Sequence, residues 1–137
     1  MRLVKIPIGF KIDNARGIIP NPVNAERIDK TERGDYLTSI RVYTVPSGKI
    51  LFLYASHCCF TCGANSGKCS LQVCDQNDNI KYHLHSCDFT QGTDKIELDS
   101  GQYCPALELS AGWYVLATVE TQYQYTRGTI HGWLENA

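Results

Sequence analysis

From Tyr36 onward no window carries an apolar stripe at helical spacing, while turn residues recur about every 8 to 12 positions. A chain built this way cannot bury a helix face, so it has to close a core from strands alone. "YLTSIRVYTV" alternates, "PSG" turns, and "KILFLYASHC" is apolar on both faces, as in a strand covered on both sides. "CSLQVCD", "IKYHLHSC", "DKIEL", "CPALEL", "WYVLATVETQY" and "GTIHGWLE" follow as further strand candidates. "GANSGK", "DQNDN", "DSG", "SAG" and "TRG" lie between them, each with the Gly, Asn, Asp or Ser that tight turns use. The pattern predicts an all-β, antiparallel, jelly-roll-like β-sandwich of about eight strands over residues 36–137.

Residues 1–35 read differently. They hold three of the five prolines, seven Lys/Arg against five Asp/Glu, and no sustained period. This segment is expected to be an extended N-terminal arm, ordered by lying on its own body or on a neighbouring molecule. At 137 residues the chain is one domain's worth. Its net charge of -1 offers no electrostatic footprint for nucleic acid. Lys5, Pro7 and Gly9 interrupt the apolar run that an export signal needs, and no stretch is long enough to span a bilayer, so cytoplasmic synthesis without a membrane partner is expected.

All seven cysteines fall between Cys58 and Cys104, and the chain is cysteine-rich only there. In "HCCFTCGANSGKC", Gly63 to Lys68 is no phosphate loop: three residues rather than four separate the glycines, and Cys69 stands where a magnesium-binding Ser or Thr belongs. Cys59 and Cys62 form a Cys-x-x-Cys knuckle, with Cys58 and Cys69 as partners for a structural zinc. His57, Cys74, Cys87, Cys104, His83 and His85 are further candidate ligands. A second knuckle is missing, so buried thiols or late-formed disulfides are the stronger expectation, with no cofactor. Counting by twos puts Cys69, Leu71 and Val73 inward and Cys74 on the opposite face with Ser70 and Gln72.

His83-Leu84-His85, followed by Asp88, resembles the first half of a cupin metal motif, but the second half is absent except for His131 on a late strand. With Ile80, Tyr82 and Leu84 taken as inward, both histidines are expected to face solvent and hold no catalytic metal. Trp113, Tyr114, Tyr123, Tyr125 and Trp133 sit at strand spacing, as either a sugar-stacking platform or cross-strand packing. No catalytic residue is marked by a linear motif.

"RVYTVPSGKILFLYASHC", "SLQVCDQNDNIKYHL", "LELSAGWYVLATV" and the closing "GTIHGWLE" together resemble small β-sandwich proteins of tailed bacteriophage particles, such as head decoration, head-fibre and tail proteins, over residues 41–135. The resemblance implies a non-enzymatic virion protein that adheres to neighbouring capsid or tail proteins, often as a homotrimer with extended arms. Capsid decoration is the leading expectation and a tail or host-receptor-binding role the next. A carbohydrate-binding module and a cupin-like metalloenzyme are the rivals from other classes.

Overall fold

The computed structural model describes residues 11–13, 17–19, 25–34, 39–61, 67–90, 95–120 and 125–137. Two short strands, β1 (Lys11–Asp13) and β2 (Gly17–Ile19), pair with each other. Eight further strands follow: β3 (Glu26–Gly34), β4 (Ser39–Thr44), β5 (Lys49–Thr61), β6 (Gly67–Cys74), β7 (Ile80–Phe89), β8 (Lys95–Leu109), β9 (Tyr114–Val119) and β10 (Tyr125–Asn136). They form two antiparallel sheets, ordered β3-β10-β5-β8 and β4-β9-β6-β7.

Within this order β6 pairs β7, β5 pairs β8, β4 pairs β9 and β3 pairs β10. The eight strands are thus one long hairpin rolled over on itself, which is the jelly-roll connection. The expected fold class stands. Alternation supplies the core: Leu51, Leu53, Cys58 and Phe60 from β5 meet Cys69, Leu71 and Val73 from β6, Val115 and Ala117 from β9, and Ile130 and Leu134 from β10. Tight turns close the hairpins, as at Gly48, whose φ of +74° suits a residue without Cβ.

Two sequence readings are corrected. Glu26–Gly34, placed above in the arm, is a nine-residue edge strand hydrogen-bonded to β10. Only Ile28 and Gly34 of it are buried, and its other positions are charged or polar. Such a strand shows no apolar period because solvent lies beyond its edge. "DKIEL" and "CPALEL" are not two strands but the halves of β8, which bulges between them. The count of eight survives because one gain offsets one loss.

Candidate functional site

Among the described residues three places gather polar or reactive groups, beginning with a cluster between the sheets where β7 packs over β8. The pairing of β7 with β6 skips Leu84, since Leu71 lies opposite His85 and Gln72 opposite His83. That extra residue reverses the alternation and turns His85 inward. On the facing sheet β8 bulges between Asp99 and Gln102 opposite β5, with Gly101 at φ +63°.

Between these two bulges lies Ser56, 1% exposed. Its Oγ is 2.7 Å from Tyr103 Oη and 3.2 Å from His85 Nε2, and its backbone N–H donates to Ser100 Oγ at 2.9 Å. Burial lowers the His85 pKa below 6.5; the Ser56 hydrogen bond and Asp99 oppose the shift, and His57 adds to it. A serine beside a histidine has the atoms of a nucleophile and its base. Ser56 is sealed from solvent, however, and saturated by its partners, so this constellation ties the sheets together.

The second place is a cleft of about 490 Å³ on the outer face of the β4-β9-β6-β7 sheet, lined by Lys68, Ser70, His83, Ser86, Thr118, Val119 and Glu120. Hydroxyl, imidazole, ammonium and carboxylate groups mix there. Beyond it, toward the β6–β7 turn, Ile80 and Tyr82 are 49% and 39% exposed, and the Tyr82 ring lies 6.5 Å from that of Trp113. Lys81 reaches over Trp113 and also approaches Asp75 at 3.4 Å. Burial would push the Asp75 carboxyl up; the backbone and side chain of Asn79, the Asn77 N–H and Lys81 outweigh it and bring it down to about 2. Asp75 thus ties the turn to Asn77, Asn79 and Lys81, and the turn leads into the apolar pair at the sheet edge.

The third place is the group of thiols. Cys58 lies inward on β5, fully buried, where burial and then Cys69 push its pKa up to about 12. Cys69 faces it from β6, directly opposite Cys87 of β7. Cys59, the next residue to Cys58, points to the outer face of the other sheet, between Arg127 and Glu97 in the strand register. Of the four residues proposed for zinc, therefore, Cys58 and Cys69 share the interior, Cys59 points away, and Cys62 lies outside the described residues. Among the described residues no group of three His, Cys, Asp or Glu side chains is placed to hold a metal ion.

Other candidates separate in the same way. His83 opens outward into the cleft, in the phase expected of it, whereas His85, expected to face outward as well, points inward; Ile80 and Tyr82, expected inward, are exposed. The inserted Leu84 is the reason for the histidine reversal. His131 sits on the outer face of the opposite sheet, its Nδ1–H donating to Asp29 at 2.6 Å, so the three histidines do not converge.

The aromatics are dispersed too. Trp133 stacks on Phe52 with centroids 5.0 Å apart and is only 5% exposed, Tyr125 lies under Arg33, and Tyr114 lies under Arg41 while donating to Asp78. Tyr123 is outside the described residues. Sequence reading missed Ser56, Ser100 and Tyr103, because their convergence depends on bulges that leave no periodic trace. The cleft residue Ser70 was legible in the outward phase of β6, with Gln72 and Cys74.

No family model matches the chain, and no curated protein matches it. Among solved structures it is similar to the C-terminal family 22 carbohydrate-binding module of Clostridium thermocellum Xyn10B, at 13% identity and a TM-score of 0.34, with 83% of each chain covered. It is also similar to a structure of infectious bursal disease virus, Gt strain, at 6% identity and a TM-score of 0.31, covering 94% of this chain and 37% of that one. At these scores neither likeness bears on ligand, partner or activity.

Proposed function

We propose that the chain is a non-enzymatic structural protein of a virus particle, a capsid decoration protein that docks on neighbouring virion proteins as a homo-oligomer, with a trimer expected. The observation that carries this reading is the exposed Ile80–Tyr82 pair on edge strand β7, next to the hydrogen-bonded Asp75–Asn79 turn and with Tyr82 against Trp113. Large apolar side chains fixed at a sheet edge suit burial against a protein neighbour. The sequence resemblance to tailed-phage sandwich proteins points the same way and adds the virion as the location.

The test is a particle preparation from the infected host, analysed by mass spectrometry and reconstituted with variants. The chain should co-purify in fixed ratio to the major capsid protein. An Ile80→Ser, Tyr82→Ser double variant should fold with unchanged circular dichroism yet bind particles at least tenfold more weakly, a loss of about 1.4 kcal/mol. Absence from particles, or binding unaffected by the variant, overturns the reading.

A second reading, a glycan-binding module, is favoured by the mixed polar lining of the cleft at Ser70, His83, Ser86 and Thr118. A glycan array discriminates: retention of a defined glycan, lost in Ser70→Ala, His83→Ala, would support the module.

A further inference from the structure

We infer that Cys69 and Cys87 form a redox-responsive pair that closes into a disulfide joining edge strand β7 to β6 when the protein leaves a thiol-rich environment. The two residues are direct register partners on antiparallel strands. Such partners hold their Cα atoms about 4.5–5.5 Å apart, inside the span that a disulfide bridges. Cys69 Sγ already leans toward its partner, donating to the Cys87 carbonyl at 3.6 Å. Cys87 Sγ rests 3.2 Å from the Asp88 carbonyl, so rotation about χ1 is the movement needed to meet Cys69.

Accessibility is divided in the way that exchange requires. Cys87 is half-buried and reachable by a small disulfide, whereas Cys69 is 1% exposed and reachable only from within. Cys58 completes the group from the facing sheet, across the core from both, whereas Cys69 lies beside Cys87 in the ladder, so the register makes Cys69 the resolving sulfur. With oxidised glutathione as the oxidant, the Cys87 thiolate attacks one sulfur and expels a glutathione thiolate. Cys69 then gives up its proton, attacks the Cys87 sulfur and expels the second glutathione. Two protein thiols are oxidised and one glutathione disulfide is reduced. The bond would pin β7, whose ladder to β6 is interrupted at Lys81 and Leu84. This inference goes beyond the virion reading and does not depend on it.

The experiment incubates the reduced full chain with excess oxidised glutathione, quenches by alkylation, and maps peptides. The expected product is a monomer that has lost two free thiols, carries no glutathione, and yields one linked peptide pair containing Cys69 and Cys87. Cys87→Ser should abolish the link, and Cys104→Ser, at an exposed position, should leave it intact. A persistent glutathione adduct on Cys87, a Cys58–Cys69 link, an intermolecular bond through Cys104, or an unchanged thiol count would each overturn the proposal. The wild-type map decides even if Cys87→Ser fails to fold.

Discussion

His85 shows how one inserted residue decides the chemistry of a side chain. Leu84 has no partner in the β6 register, so the imidazole that would face solvent instead enters the space between the sheets and meets Ser56. Its folded pKa lies below the ordinary 6.5, so the neutral form is favoured in the fold. The linkage then has a definite sign: the stability contributed by this group is complete above pH 6.5 and is lost as the pH falls below 6.5 and through the depressed folded value. Thermal unfolding from about pH 8 down to about pH 5 should show the midpoint falling in the wild type. In His85→Gln, which keeps a hydrogen-bonding group toward Ser56 without a titration, the fall should be shallower. Parallel pH profiles for the two proteins would refute the assignment.

At the scale of elements, β10 is held between β3 and β5 and carries the close approach of the two sheets. A Cβ built on Gly128 would meet Val42 Cγ2 at 2.5 Å, with Leu71 and Ala117 just beyond. Gly128→Ala is therefore expected to push the sheets apart and cost about 1–3 kcal/mol, readable as a lower midpoint in urea with little change in slope. The other flank of β10 gives a second prediction. Residues 26–30 pair with Leu134, Trp133, Gly132, His131 and Ile130, and Ile28 joins the core, so deleting residues 2–30 strips part of a sheet and not just an arm. The truncated protein should unfold at a clearly lower temperature than the intact chain, and an unchanged transition would return these residues to the status of an appendage. What the sequence made legible follows the same division. Strands with one or both faces in the core, such as β5, β6 and β9, announce themselves through apolar phase. Strand β3 does not, since seven of its nine positions are solvent-facing, and the Ser56 cluster does not, since it is assembled by bulges in β7 and β8.

Over the whole molecule, the rolled hairpin joins the segments farthest apart in sequence. Glu26 lies opposite Leu134, and β10, the last strand of the chain, fills a central position in its sheet. Until β10 is present, β5 lacks its partner on one side and β3 lacks the strand it pairs with, so an incomplete chain exposes both strand edges and apolar side chains. Native structure should thus form late and cooperatively, at the slow end expected for non-local β topologies. A chain ending at Glu120 should be insoluble or lack a cooperative transition. Adding a peptide of residues 121–137 during refolding should restore a single transition by supplying the missing central strand, the mode of strand complementation. Solubility, far-ultraviolet circular dichroism and peptide retention on gel filtration check this directly. A stable, cooperatively folded 1–120 fragment that ignores the peptide would show that β10 is an accessory to the sandwich and not its closing element.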